Sequence, residues 1–117
     1  MKRLLTLATA LIATFIFLFF TVGVPGNASE EEEIHSLIET ATTPEDHMKI
    51  AEFYEKQAAK MELKASSHAS MADSYKNRGK PLPGLAKHCG NLSKKYKGAA
   101  EEYKAMAIEH REMAKEK

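Results

Sequence analysis

Every seventh residue from His47 is a side chain large enough to fill a helix seam: His47, Tyr54, Met61, His68 and Tyr75. Four residues after each of the first four stands an alanine: Ala51, Ala58, Ala65 and Ala72. Starting again at Cys89, the same step gives Cys89, Tyr96, Tyr103 and His110, each followed four residues on by Ser93, Ala100, Ala107 or Ala114. A seven-residue repeat with one large and one small column is a helix-packing pattern. The small column lets two helix axes approach toward the low end of the usual ~8–10 Å. Strands need apolar residues to alternate with a period of two, and no stretch does so.

The boundaries are also written locally. Thr43-Pro44-Glu45-Asp46 places a capping hydroxyl, a proline suited to a first helical position, and acids at the positive end of a helix dipole. Nothing breaks the helix from Pro44 to about Arg78. The segment NRGKPLPG (77–84) then holds two prolines and two glycines and predicts a turn. A second helix runs from Leu85 to about Glu116, slightly weakened by Gly90 and Gly98. Upstream, Ser29 and four glutamates suit a helix start, and Ile34, Leu37, Ile38 and Ala41 give it an apolar side. The expected fold is all-α: a long antiparallel two-helix hairpin over 44–117, preceded at 29–43 by a short acidic amphipathic helix and linker. A mature segment of 89 residues buries a limited core, and self-association is a usual remedy. Two hairpins dimerising into a four-helix bundle are expected.

In an antiparallel pair, facing residues have a constant sum of numbers. The sum 157 pairs His47 with His110, Tyr54 with Tyr103, Met61 with Tyr96 and His68 with Cys89, so that all four layers fall on repeat positions. The two helices also superimpose at an offset of 42 residues. HASMA (68–72) lies over HREMA (110–114), as expected of an internal duplication.

The N-terminus predicts export. Lys2 and Arg3 precede an apolar run from Leu4 to about Val24, then Pro25-Gly26 and the small residue Ala28. This is the layout of a signal peptide spanning 1–28, with cleavage after Ala28. The run is also close to the ~20 residues that span a bilayer, so an uncleaved anchor is the alternative. Either form places the rest of the chain in a periplasmic or extracellular setting.

Histidine and methionine three apart on a helix share a face. The open end of the seam gathers His47 and His110 with Met113; the turn end gathers His68 and Cys89 with Met71 or His88. Imidazole, thioether and thiolate together suit copper first, and imidazole also suits zinc or haem iron. One cysteine in an exported chain cannot form an internal disulfide, which leaves a ligand, a free thiol or a bridge to a second chain. The competing expectation is that these columns are packing alone, with Met as ordinary core material. Catalytic triads, glycine-rich phosphate loops and C-x-x-C motifs are absent from the sequence, and it predicts no enzyme.

Residues 30–62 hold ten acids and three bases, whereas seven bases and no acid lie between Ser74 and Ala100. A hairpin would thus be acidic at its open end and basic at its tip. Two copies packed end over end would match opposite charges, and the tip could touch an anionic membrane surface. Near-zero net charge and the lack of a recognition motif argue against nucleic acid.

Over residues 44–114, the string H…Y…A…HxxMA…Y, a Pro/Gly turn, then HC…Y…AA…Y…A…HxxMA resembles a group of small exported bacterial helical proteins to which no activity is attached. The resemblance implies a cell-envelope location and a helical hairpin. Copper-storage proteins and the four-helix cytochromes with His/Met haem ligation are analogous in architecture only. The former line their bundle with many cysteines, and this chain has one.

Overall fold

The computed structural model describes residues 27–116. The apolar run expected as signal peptide or anchor lies outside them. Three helices follow in order: α1 (Asn27–Thr40), α2 (Pro44–Asn77) and α3 (Pro83–Lys115). There is no strand among the described residues, and none of these helices is long and apolar enough to cross a membrane.

Local chemistry sets the ends. Thr43 is the N-cap of α2: its hydroxyl accepts from the Asp46 N–H at 3.2 Å, and the Asp46 carboxylate accepts from the Thr43 and Thr42 N–H groups at 3.3 Å. Aspartate thus closes a capping box usually completed by glutamate. The Thr43 side chain first, then the Thr42 and Thr43 N–H groups, hold the Asp46 carboxyl below its usual range. α2 stops where Arg78 turns extended, and the Leu82 N–H donates back to the Tyr75 carbonyl at 3.0 Å. α3 starts at Pro83, two residues before the expected Leu85, because a first-turn proline has no N–H to satisfy and its backbone is already helical. α1 is already helical at Asn27, so Ser29 lies inside it and is not the cap expected from sequence.

α2 and α3 pack along their length as an antiparallel hairpin. The small columns form its tightest line: Ala51, Ala58, Ala65 and Ala72 on α2, with Ala86, Ala100 and Ala107 on α3, are all buried. Ser93 occupies the place of an alanine and donates its hydroxyl to the Ala65 carbonyl at 2.7 Å, a close backbone approach. α1 folds back on the first half of α2. Ile34 packs with Ile50 and Phe53, Leu37 and Ala41 fill the flank, and Lys56 pairs with Glu30 at 2.9 Å. This cluster, which includes Tyr54, Tyr103 and Ala107, is the core of the chain and sits at the open end of the hairpin.

Candidate metal centre

The register expected from the sequence is present. His47 Nδ1 and His110 Nδ1 lie 3.1 Å apart, and the Tyr54 and Tyr103 rings stack at 6.0 Å. The Ser93–Ala65 bond carries nearly the same register toward the turn. A second set of contacts is displaced by one heptad: Tyr54 with His110 at 5.8 Å, and His68 with Tyr96 at 5.4 Å and 12° between planes. The cause is the tilt of side chains toward the N-terminus of their own helix. On α3 that tilt is toward the turn and on α2 toward the open end. Rings seven residues apart in register therefore lean into each other. Tyr96, expected opposite Met61, is stacked on His68 and also carries the Lys64 ammonium 5.4 Å from its centroid.

At the open end, the two imidazoles converge through like nitrogens. One Nδ1 donates and the other accepts across the seam. Burial first and the neighbouring His47 second push the His110 pKa below its ordinary value, with Glu109 opposing. A second proton on the pair is disfavoured. Tyr54, against His110 and Tyr103, is likewise held neutral: burial foremost, then Tyr103, raises its pKa. With the donor ring's proton moved to Nε2, both Nδ1 lone pairs would face one point, as a metal ion needs. Met113, one turn beyond His110, is half-exposed on the outer flank of α3.

At the turn end, His68 is half-buried and its Nδ1 has no hydrogen-bond partner among the described residues. Cys89 is a half-buried free thiol, and the Ser93–Ala65 register places it level with His68. Met71 and His88 are exposed on the surface of their helices. Among the described residues, no three His, Cys, Asp or Glu side chains converge. Any ion here draws on two of these residues plus thioether or exogenous donors.

Sequence patterning missed the charged ladder beside the seam. Arg111 makes a bidentate pair with Glu55 at 2.8 Å, and Lys104 pairs with Glu62 one heptad along. Arg111 also reaches the Met48 sulfur at 3.7 Å. The arginine beside Glu55 lowers its carboxyl pKa. The signal was there, since Glu55/Glu62 and Lys104/Arg111 each repeat every seven residues, but only the lean of long side chains brings them together.

Comparison with protein families, with curated proteins and with solved structures finds no match to this chain.

Proposed function

We propose that this hairpin is an exported binder of a soft or borderline transition metal, copper first, whose principal site is the His47–His110 pair. The observation that carries the reading is the convergence of the two Nδ1 atoms at 3.1 Å across the helix seam. With metal–nitrogen bonds of about 2.0–2.1 Å, that spacing corresponds to an angle at the metal of about 100°. Opening the pair by about 0.3 Å gives a tetrahedral angle. With the donor ring's proton moved from Nδ1 to Nε2, the ion would span two helices near the core, with Met113 within one helical turn as the thioether. Copper(I) is stable with few donors, which suits a pair of imidazoles better than the three or four ligands of a zinc site. His68 and Cys89, with Met71 or His88, form the second candidate group at the turn end, supported by the unpartnered His68 Nδ1.

One observation favours a different reading. The His47–His110 bond and the His68–Tyr96 stack are also complete packing contacts. On that reading the hairpin is a structural or interaction module, and its histidines fix register.

Elemental analysis and copper(I) competition separate the two. The protein is expressed from the full-length sequence and purified without chelator. It should bind about one copper per open-end pair, and the His47→Leu/His110→Leu variant should lose that copper while keeping its helical signal. Uptake unchanged in this variant, or absent in the parent, overturns the metal reading and leaves packing. A Soret band on adding haem would instead support a non-covalent haem bundle.

A further inference from the structure

One column of α3 has not been used by the hairpin. Leu85, Leu92, Ala99, Met106 and Met113 stand seven apart, three residues after Leu82, Cys89, Tyr96, Tyr103 and His110. Three residues turn a helix about 60° short of a full circle, so this column flanks the seam on its aromatic side. α1 covers part of the matching flank of α2, where Ile50 is buried in one cluster with Ile34. On α3 no described element does so: Leu85 is 45%, Leu92 38%, Met106 38% and Met113 42% exposed. The stripe runs 28 residues, about 42 Å of helix. Isolated exposed apolar residues are ordinary, but a continuous column of them is a contact surface.

The next column outward carries the partner's identity. His88, Lys95, Glu102 and Glu109 also stand seven apart, basic toward the turn and acidic toward the open end, and all four are exposed. Lys95 and Glu102 have no ion-pair partner among the described residues. A helix laid antiparallel on this face keeps the same column on the same side. If that helix is α3 of a second copy, with the two-fold axis at Ala99, every layer is complementary. Ala99 meets its own equivalent, Leu92 meets Met106 and Leu85 meets Met113. Beside them Lys95 meets Glu102 and His88 meets Glu109, each pair occurring twice. The small residue at the centre permits close approach. A two-fold interface needs this self-complementarity, and a parallel α3 pair would put the two copies of the charged column on opposite sides of the stripe, where these pairs do not form.

We propose that this outer face of α3 is a homodimer interface, occupied by α3 of a second copy in antiparallel orientation about a two-fold axis through Ala99. The interface does not depend on metal binding. It joins the two hairpins through α3 and sets basic turn ends beside acidic open ends. Met113 is then covered by the partner's Leu85, and the two copies of Cys89 lie at opposite ends of the interface, too far apart for a disulfide.

The test uses the full-length sequence with Cys89→Ser as a cysteine-free background. Ala99→Cys places two thiols on the axis and should form a disulfide-linked dimer on mild oxidation. Ala105→Cys, an exposed position on the same helix but off the stripe, should stay monomeric on a denaturing gel. By light scattering at low salt, Lys95→Glu and Glu102→Lys should each weaken self-association about tenfold or more, since each reversal creates two like-charge contacts per dimer. Combining them should restore it. All four positions are solvent-exposed or half-buried, and circular dichroism checks the helices. A parent that is monomeric by light scattering, an Ala99→Cys chain that cross-links no faster than Ala105→Cys, or a double reversal that fails to restore association would each overturn the proposal. Another partner on this face would show as one of these.

Discussion

Replacing Ile50 by alanine tests whether α1 is part of the folded unit. Ile50 is fully buried, and it lies in the cluster formed by Ile34 of α1 with Phe53 and Tyr54. The substitution removes three carbon groups. At ~0.8 kcal/mol each, their return to water costs about 2.4 kcal/mol. The cavity left beneath a helix held by few other contacts adds to this, for a total of about 2.5–4 kcal/mol. In a domain of this size each kcal/mol moves the midpoint by about 4–8 °C, so Tm should fall by at least about 10 °C. Urea titration followed by far-ultraviolet circular dichroism measures it, with the slope unchanged if only stability has moved. Leu63→Ala is the matched control: Leu63 is 72% exposed, and its loss should stay within about 0.5 kcal/mol. An Ile50→Ala cost below about 1 kcal/mol, or equal to that of Leu63→Ala, would refute the placement of α1 over α2.

Gly90 and Gly98 lie inside α3, and a Cβ at either meets nothing within 4 Å. Gly90→Ala and Gly98→Ala should each raise stability by about 0.5–1 kcal/mol in the same titration. Thr43→Ala removes the hydroxyl that caps α2 and should cost about 1 kcal/mol, while Thr43→Ser should restore most of it. The depressed pKa of His110 gives a signed pH dependence. The unfolded chain takes up this proton at higher pH than the folded one. The contribution is therefore full above the ordinary value of 6.5 and is lost as pH falls through the lower folded value. His110→Leu should flatten the stability profile over that window, and a profile unchanged by the substitution would contradict the burial assigned to His110.

The hairpin was legible because its determinants are local or periodic. Thr43, Pro44 and Asp46 act within four residues of one another, and the prolines and glycines of 77–84 act on their own backbone. The seven-residue columns leave one way to bury the alanines, and that fixes the sum that brings His47 to His110 and Tyr54 to Tyr103. The candidate site was legible to the same extent. The two histidines at the open end meet as expected, because backbone register alone decides which layer they share. The Tyr96–His68 stack and the Glu55–Arg111 and Glu62–Lys104 pairs were not legible from register. They depend on the tilt of side chains toward the N-termini of opposed helices, which moves contacts by seven to nine residues. Met71, His88 and Met113 share the sequence spacing of ligands, but their distance from the seam depends on rotation about the helix axis.

By itself, then, the sequence of this chain determined three things: where α2 and α3 begin and end to within two residues, that they pair antiparallel, and which residues share a layer. All three follow from short-range chemistry and from the period of the α-helix. Only the tertiary structure decided which flank of each helix is covered. α1 lies over Ile50 and Phe53 and buries that side of α2, while the Leu85–Met113 column of α3 stays open. The matching column of α2 reads Ile50, Gln57, Lys64 and Met71, and that of α3 is apolar throughout. The difference in cover is the position of α1, held by Ile34, Leu37 and the Glu30–Lys56 pair. A contact of that kind has no period along the chain, because it depends on how two separate helices meet in space.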